Sequence, residues 1–359
     1  MGKFMKDLLE APWHEADPAL WAQRREKIQE AFVGLLGEAN GGPPPAPSPC
    51  ARERAPGGGN GNGNDLDLQW HEETRQEGLT IRKLSFLAEP EDRVHAYLVI
   101  PDGLTEPAPA VMCIHGTTAD AKEACLGRGL KPGGSNGTAI DLARKGFITF
   151  APDHFCAGER LKPGEAPYDP RPFYERHPHW SEMGKDIFDH RLGLDVLQSL
   201  PEVDGSRLGC IGHSLGGYGA VFLAAMDERI RAAVSSCGIT VWAADPLKFN
   251  WSRHHAGEYV HFPKLREYWR QGLPAPVDFH EIIALIAPRA CLNISAVGND
   301  VCFPIFEPFA ELYVQVESVY KLLGAEGKFA CHFHSSGHSF NQSPRQLAYA
   351  WLGEQLVDA

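Results

Sequence analysis

One serine of the sequence stands between glycines in a pattern that suits nucleophilic chemistry. The stretch CIGHSLGGYGA, residues 210 to 220, places Gly212 two positions before Ser214 and Gly216 two positions after it. A serine hydroxyl attacks a carbonyl only when a base takes its proton and N–H donors stabilise the resulting oxyanion. In G-x-S-x-G the serine occupies a tight turn between a strand and a helix, where flanking side chains would collide. An apolar run precedes the motif and a helical pattern follows it, so Ser214 is the predicted nucleophile.

Two segments are predicted to supply the N–H donors of an oxyanion hole. The first is the start of the helix after the serine, where the N–H of Leu215 faces the same space. The second is VMCIHGTTAD, residues 111 to 120, in which His115 and Gly116 follow an apolar strand and open a loop of small residues. That loop can aim the N–H of Thr117 at the site, although an ordinary strand-to-helix turn would also use a glycine here.

Sixteen histidines are available as the base. His338 is the predicted base because it lies between the last predicted strand and the last helix, from where it can reach back over the serine. His332 and His334 alternate within that strand and are expected to face the sheet and a helix. The run HFHSSGH, residues 332 to 338, follows Cys331 but lacks a neighbouring Asp or Glu that would complete a zinc site, so no metal is predicted.

Three further histidines have weaker claims. His213, next to the serine, is expected to pack under the turn rather than to act in catalysis. His254 and His255 lie in an aromatic segment, where they could line a pocket or simply face solvent.

A catalytic histidine needs a carboxylate that holds its tautomer and stabilises the imidazolium. Asp300 is the predicted acid, because ACLNISAVGND carries it out of an apolar strand on a Gly-Asn turn. Asp245 and Glu281 are the alternatives, one in the aromatic segment and one on a predicted helix. The predicted catalytic set is therefore Ser214, Asp300 and His338.

The residues from position 79 onward alternate between strand and helix patterns. LTIRKLSFL and VHAYLVI predict an antiparallel pair. Six apolar runs follow, at 110–114, 147–151, 207–211, 231–236, 290–297 and 328–334. Strands that are apolar on both faces are typical of a parallel sheet covered by helices. The helices are predicted over 137–145, 183–200, 215–227, 304–323 and 343–356. The expected fold class is α/β, with a mostly parallel eight-stranded sheet and helices on both faces.

The chain is expected to carry an extension before this unit. Residues 1–39 are predicted to be an N-terminal helical extension, because Asp17-Pro18 suits a helix start and apolar residues recur at helical spacing. These apolar residues are Trp21, Ile28, Phe32, Leu35 and Leu36. Residues 40–65 are rich in Gly, Pro and Asn and predict a linker or loop.

Residues 66–359 are predicted to form the catalytic domain. Within it, residues 240–285 are aromatic and interrupted by prolines, which predicts an insertion over the strand ends that shapes a pocket. Its aromatic residues could stack on sugar rings or cover the core, and covering the core ranks first. They are Trp242, Phe249, Trp251, Tyr259, Phe262, Tyr268 and Trp269.

The charge and the apolar patterning exclude several classes of partner. There are 34 Lys and Arg against 46 Asp and Glu, a formal net charge of −12, so the attraction that drives nucleic-acid binding is missing. No run reaches the roughly 20 apolar residues of a membrane span, and the N-terminus lacks a secretory h-region. The sequence therefore predicts a cytoplasmic protein with no nucleic-acid or membrane partner. The N-terminal helix could serve a homo-oligomer, which the sequence leaves open.

The nine cysteines are odd in number and have no C-x-x-C spacing. Several lie inside apolar runs that predict strands. This pattern favours buried reduced thiols over a disulfide framework.

Taken together, the motifs resemble the α/β-hydrolase superfamily, and within it the dienelactone-hydrolase-like and acetyl-xylan-esterase-like branch. The resemblance covers about residues 79–356 and rests on CIHGTT, APDHFCAGER, PEVDGSRLGCIGHSLGGYGA, IAPRACLNISAVGND and SSGHSF, in the family order. It implies a carboxylic-ester hydrolase that works through an acyl-enzyme and needs no cofactor. It also implies Ser214, Asp300 and His338 as triad, with Leu215 and Thr117 as oxyanion donors.

The resemblance has limits that bear on the substrate. Dienelactone hydrolases proper use a cysteine where this chain has Ser214, which speaks against that narrower activity. The FCAGER run resembles a structural loop in which Asp153, Glu159 and Arg160 would form a buried ion network. We expect a small-molecule ester of a small or medium acyl group, such as an acetylated sugar. A thioesterase or peptidase on the same fold, and a non-catalytic binding protein of hydrolase shape, stay as alternatives.

Overall fold

A computed structural model describes residues 17–38, 66–129, 137–252, 260–304 and 307–357, and its centre is one sheet of nine strands. The strands are β1 Gln69–Gln76, β2 Leu79–Glu89, β3 Asp92–Pro101, β4 Ala108–Ile114, β5 Ile148–Pro152, β6 Val203–His213, β7 Ile230–Ser236, β8 Ala290–Ala296 and β9 Phe329–His334. Their order across the sheet is β1-β2-β3-β5-β4-β6-β7-β8-β9. The predicted linker over 40–65 lies outside the described residues.

The sheet is mostly parallel, as the sequence predicted. The strands from β5 across to β9 pair in parallel, whereas β1, β2 and β3 form an antiparallel edge that joins β5. All seven residues of β4, Ala108–Ile114, are buried. Ala110 and Met112 belong to one apolar cluster, while Val111 and Cys113 belong to a second one. Because successive side chains of a strand point to opposite faces, each face of the sheet has its own core.

Among the described residues the sheet has nine strands rather than the predicted eight. The additional strand is β1, whose sequence QWHEETRQ is polar and whose residues are all exposed. It pairs with β2 at the sheet edge, in a register that sets Thr74 opposite Ile81. The pattern of apolar residues could not predict this strand, because an edge strand that buries neither face carries no apolar residues in a regular pattern.

Helices cover both faces of the sheet. They are α1 Pro18–Leu36, α2 Thr138–Ala143, α3 Arg171–Arg176, α4 Glu182–Ser199, α5 Leu215–Met226, α6 Leu265–Arg270, α7 Phe279–Ala284, α8 Glu307–Leu322 and α9 Gln342–Leu356. Short 3₁₀ turns lie at Ala121–Leu126, Gly158–Arg160 and Lys248–Ser252. Buried residues of α1, α4, α5, α7 and α8 share one cluster, and those of α2 and α9 share the other.

The helix α1 begins as the sequence predicted and packs against the rest of the chain. Asp17 caps it, with a side-chain oxygen that accepts from the N–H of Leu20 at 2.8 Å. The ring of Phe32 is fully buried, and its centroid lies 5.2 Å from that of Phe222 on α5. The apolar face of this helix is therefore covered within the chain.

The aromatic residues of the insertion mostly cover the core. Trp242, Trp251, Phe262 and Trp269 are buried, whereas Phe249 is 45% exposed. Tyr259, like His254 and His255, lies outside the described residues.

The cysteines within the described ranges are free thiols. Most of them are buried, but Cys331 is half-buried and Cys302 is exposed. In the same ranges, every helix is too short or too polar to cross a membrane.

Candidate active site

Ser214 occupies a sharp turn between β6 and α5. Its backbone has φ 56° and ψ −119°, a conformation that residues other than glycine adopt rarely and at a cost in strain. Its N–H donates to the carbonyl of Ser236 at 2.8 Å, and its carbonyl accepts from the N–H groups of Gly217 and Tyr218. The turn thus ties the serine to the end of β7 and to the first turn of α5.

The glycines around the serine are required by close backbone approaches. A Cβ atom added to Gly212 would lie 2.1 Å from the carbonyl oxygen of Gly216. One added to Gly216 would lie 2.0 Å from the carbonyl oxygen of Ile114, and one on Gly217 would lie 2.8 Å from that of Ser236. No side chain fits at these separations. The interpretation of the G-x-S-x-G motif as a tight strand-to-helix turn therefore agrees with the structure.

The structure brings Asp300 and His338 together beside this turn. The Nδ1 atom of His338 lies 3.0 Å from each carboxylate oxygen of Asp300. Asp300 follows β8 and is buried, and its Oδ1 atom accepts the backbone N–H groups of Cys302 and Phe303 at 2.8 and 3.0 Å. The ring centroid of His338 lies 4.9 Å from the ring centroid of His213, the residue before the serine. The acid and the histidine thus lie beside the turn that carries the serine, at one rim of the sheet.

The pKa values of this pair differ from the ordinary ones because the two groups interact. Burial lowers the pKa of His338, but hydrogen bonds with Asp300 and with the Cys302 side chain outweigh it and raise that pKa to about 9. Burial raises the pKa of Asp300, but the hydrogen bond and charge of His338 outweigh it, so the pKa is lowered. The carboxylate therefore stabilises an imidazolium, which a base must become during catalysis.

The two alternative acids accept hydrogen bonds from residues close to them in the chain. Asp245 accepts from the hydroxyl of Thr240 and from the N–H of Leu247. Glu281 accepts from the N–H of Asp278 in the capping box of α7. Both carboxylates have structural partners, and Asp300 is the one that contacts His338.

Of the other histidines in this region, His213 agrees with its prediction and His334 differs from it. His213 packs beside the turn, as expected, with Nδ1 3.0 Å from the hydroxyl of Ser236. Burial, followed by the charge of His338, lowers its pKa to about 3, so it stays neutral. His334 was expected to face a helix, but its Nε2 atom lies 3.9 Å from the sulfur of Cys237, which stands next to Asp300.

The loop predicted to hold an oxyanion donor lies against the serine. A Cβ added to Gly116 would be 3.6 Å from the Cβ of Ser214. Leu215 is the first residue of α5, so its N–H is one of those that helical bonding leaves unpaired. Thr117 is exposed in the loop. Leu215 and Gly116, the residue before Thr117, therefore lie next to the serine.

Tyr168 anchors this loop, and sequence reasoning missed it. Its hydroxyl accepts from the N–H of Thr118 at 3.0 Å and lies 2.7 Å from the carbonyl oxygen of Thr118. The carbonyl of Gly116 also faces this hydroxyl, at 3.3 Å. In a trans peptide the N–H points opposite to the C=O, so the N–H of Thr117 points away from the buried tyrosine. The tyrosine thereby orients the amide that was predicted as an oxyanion donor.

A buried histidine pair supports the same loop from below. The Nε2 atom of His115 accepts from the N–H of His154 at 3.1 Å, and the Nε2 atom of His154 donates to the carbonyl of His115 at 2.8 Å. The Nδ1 atom of His154 lies 3.1 Å from Asp186. Burial alone would lower the pKa of His154, but Asp186 outweighs it and raises that pKa. The buried ring of His154, beside the Asp186 carboxylate, thus bonds to the backbone of His115.

The predicted ion network of the FCAGER run exists in two parts. Asp153 and Glu159 both contact the buried ammonium of Lys122, at 2.5 and 2.6 Å. The guanidinium of Arg160 does not pair with their carboxylates: it pairs with Asp92 and Asp189, each at 2.7 Å, and reaches only the backbone carbonyl of Asp153, at 3.5 Å. The prediction that Asp153, Glu159 and Arg160 share one ion network was therefore wrong for Arg160, because its guanidinium pairs with a second group of carboxylates.

A buried hydrogen-bonded chain joins the insertion to the helix that carries the serine. The hydroxyl of Tyr218 lies 2.9 Å from Nε2 of His261, whose Nδ1 lies 2.5 Å from Glu182. Trp251 packs edge-on against Tyr218, with ring centroids 4.8 Å apart. The ring of Phe303 extends this aromatic wall and lies 5.8 Å from that of His338. The insertion therefore borders the site.

The chain matches a known family over much of its length. The model of the Abhydrolase family matches residues 69–306, more than half of the chain. The fold, the turn at Ser214 and this match agree, and the chain belongs to the Abhydrolase family. Its fold is the α/β-hydrolase fold that the sequence predicted.

Named relatives and solved structures agree with this assignment. The chain is 28% identical over 286 residues to the protein named "Putative hydrolase YtaP" of Bacillus subtilis (strain 168), a match over 79% of this chain and 90% of that protein. A glucuronoyl esterase from Solibacter usitatus superposes with a TM-score of 0.67 at 16% identity, over 95% of this chain and 94% of that chain. An acetyl xylan esterase from Paenibacillus sp. R4 superposes with a TM-score of 0.55 at 18% identity, over 81% and 89%. Both superpositions are likenesses of fold.

The Asp300 and His338 contact predicts a measurable shift. We expect the imidazole of His338 to titrate with a pKa of about 9, and this pKa to fall in Asp300→Asn, where the amide keeps the shape but not the charge. Because a raised pKa keeps the ring protonated to higher pH, the neutral base forms only as the pH rises through that value. NMR titration, with the resonance assigned by its loss in His338→Asn, measures both values.

His213 provides the internal control, since burial should keep its ring neutral throughout the same titration. A wild-type His338 that titrates near its ordinary pKa, unchanged in Asp300→Asn, would contradict the coupling.

Proposed function

We propose that the protein is a serine carboxylic-ester hydrolase that works through an acyl-enzyme. The single observation that carries this proposal is the 3.0 Å contact between His338 and Asp300 at the sheet edge where the strained turn presents Ser214. A hydroxyl, an imidazole and a carboxylate in this relation are the groups that acyl transfer needs. Membership of the Abhydrolase family supports the same reaction class.

In this proposal the serine attacks the ester carbonyl while His338 takes the hydroxyl proton. The tetrahedral intermediate collapses when His338 returns that proton to the leaving alcohol, and the acyl group stays on the oxygen of Ser214. Water then attacks the acyl-enzyme with His338 again as the base, and the acid leaves. Asp300 holds the proton of His338 on Nδ1 and thereby leaves the Nε2 lone pair free to act.

The oxyanion is proposed to sit between two amides. The N–H of Leu215 opens α5, and the N–H of Thr117 points away from the tyrosine that holds its loop. Two N–H donors at the position of the developing charge are the usual arrangement for acyl transfer. Both come from rigid backbone, so little reorganisation is needed when the charge forms.

The substrate class we propose is an ester of a carbohydrate with a small acyl or uronoyl group. The solved structures that share this fold include proteins named glucuronoyl esterase and acetyl xylan esterase. The aromatic wall of Trp251 and Phe303 beside His338 supports a compact apolar group next to the reacting carbonyl. The finer choice between these esters rests on the experiment below.

The first test removes the nucleophile. Ser214→Ala should lower kcat for p-nitrophenyl acetate by at least about a thousandfold, because the triad acts as a unit. Ser318→Ala, on α8 away from the site, is the matched control and should hydrolyse the ester at the wild-type rate. A panel of acetylated xylo-oligosaccharides, a methyl glucuronate ester, a thioester and an aminoacyl anilide then ranks the substrate classes by kcat/KM.

Retained activity in Ser214→Ala would remove the serine from its role. Faster turnover of the thioester or the anilide than of every oxygen ester would replace the esterase assignment with a thioesterase or a peptidase.

The second test addresses the loop that Tyr168 holds. Tyr168→Phe removes the hydroxyl that orients the Gly116 and Thr118 carbonyls, so we expect kcat to fall about tenfold with KM nearly unchanged, less than the hundredfold typical of losing a donor itself. The control is Tyr349→Phe, which loses a hydroxyl bonded to Asp141 on the other face of the sheet. Equal kinetics for the two variants would show that the loop does not need the tyrosine.

A further inference from the structure

Three different metal-binding side chains converge at the rim of the sheet. Cys237 follows β7, Asp300 follows β8 and His338 follows β9, so neighbouring strand ends deliver a sulfur, a carboxylate and an imidazole. One ligand atom from each lies within 4.8 Å of the other two. Cys237 and Asp300 are buried, with exposed fractions of 1% and 4%. The three donors thus form a compact set that is buried except on the side of His338.

The distances suit a tetrahedral cation of the zinc class. With Zn–N and Zn–O bonds of about 2.1 Å and Zn–S bonds of about 2.3 Å, tetrahedral ligands stand about 3.3 to 3.6 Å apart. The Nδ1 atom of His338 lies 3.0 Å from the Asp300 oxygens, near this separation. The sulfur lies within 4.8 Å of both other ligand atoms, so it must move closer by at most about 1.2 Å. A thiolate with an imidazole and a carboxylate selects thiophilic ions over Mg²⁺ or Ca²⁺, which prefer oxygen ligands.

The surroundings of Cys237 hold its sulfur in place. Its N–H donates to the carbonyl of Ile294 at 2.7 Å, which fixes the residue between two strand ends. The Nδ1 atom of His334 accepts from the N–H of Ser336, so the ring proton is on Nε2, which faces the sulfur at 3.9 Å. A donor in this position stabilises a thiolate once a cation has displaced the thiol proton. His334 therefore acts as a supporting group.

We infer that Cys237, Asp300 and His338 form a regulatory site for a thiophilic divalent cation such as Zn²⁺, and that its occupation switches off the histidine. The ion takes the position of the proton between His338 Nδ1 and Asp300, and the thiol proton leaves to solvent. A neutral imidazole bound through Nδ1 carries its proton on Nε2, so it cannot accept the proton of Ser214. The effect on activity rests on the proposed function, whereas the binding itself does not.

Chain neighbours alone could not suggest this site. The run HFHSSGH follows Cys331 but has no Asp or Glu beside it to complete a set of ligands, and on that ground the sequence predicted no metal. The parallel sheet brings Cys237 and Asp300, residues distant in the chain, to His338, because the carboxyl ends of neighbouring parallel strands share one edge.

The binding test uses a protein that cannot turn over. The full chain with Ser214→Ala keeps all three ligands, and titration with ZnCl₂ by calorimetry should give one Zn²⁺ per chain. Adding Cys237→Ser should weaken binding by about a hundredfold or more, since loss of a mere supporting group already costs 10 to 100-fold. Cys331→Ser, a thiol on β9 outside the set, is the matched control and should bind within about twofold of the parent.

A second variant guards against a folding defect in Cys237→Ser. Asp300→Asn in the same background removes a different ligand and should weaken binding comparably, while circular dichroism reports whether each variant is folded. Folded Cys237→Ser and Asp300→Asn variants that bind Zn²⁺ as tightly as the Ser214→Ala parent would overturn the site. Loss of binding only in Cys302→Ser, the exposed thiol that contacts His338, would also overturn it, because the ion would then sit elsewhere.

The regulatory test uses the wild-type chain with p-nitrophenyl acetate. Zn²⁺ should inhibit hydrolysis, EDTA should restore it, and equal concentrations of Mg²⁺ should have no effect. Cys331→Ser should stay sensitive, while Cys237→Ser should need about a hundredfold more Zn²⁺ for the same fractional inhibition. Binding without inhibition would overturn the regulatory role, whereas an inactive wild type that still binds Zn²⁺ through Cys237 would count against the proposed function alone.

Discussion

The close approach of two backbones at the turn of Ser214 is the constraint on which the rest of the site depends. The carbonyl oxygen of Ile114, at the end of β4, lies only 2.0 Å from where a side chain on Gly216 would begin. This approach sets the serine against the loop that follows β4, and that loop carries the Thr117 amide. Because the contact is between rigid elements, the position of the hydroxyl follows from the packing of β4, β6 and α5. A strained serine backbone is tolerated because these elements are buried around it.

The parallel sheet explains how distant residues meet at this turn. Ser214, Asp300 and His338 follow β6, β8 and β9, whose carboxyl ends share one edge. Buried polar groups then set the finer geometry. The His154 and Asp186 pair fixes the backbone below the loop, and two backbone N–H groups hold Asp300 toward the histidine. Buried polar contacts of this kind favour one arrangement of the site.

The sequence predicted the parts of the molecule that follow from local patterns. The glycines around Ser214, the apolar runs that form β4 to β9 and the Gly-Asn turn before Asp300 are all short-range signals. The edge strand β1 escaped, because a strand exposed on both faces has no apolar pattern. The role of Tyr168 could not be predicted, because its partner Thr118 is 50 positions away in the chain and no local sequence feature of a tyrosine indicates such a contact.

The same limit applies to charges and thiols. Arg160 was assigned to the network of its own loop, but in the fold its guanidinium lies 2.7 Å from Asp189 of α4. Likewise, the sulfur of Cys237 joins Asp300 and His338 only through the order of the strands. Pairings of this kind depend on the tertiary fold, so a single sequence supplies candidates but not partners.

The central claim is that the packed turn presents one activated serine to an ester carbonyl. Reaction of the folded protein with a fluorophosphonate, followed by peptide mass spectrometry, tests this claim most directly. The account predicts one probe per chain, attached to Ser214, with slower labelling in Asp300→Asn because the base is less well oriented. A folded protein that stays unlabelled, or that carries the probe on another residue, would contradict it.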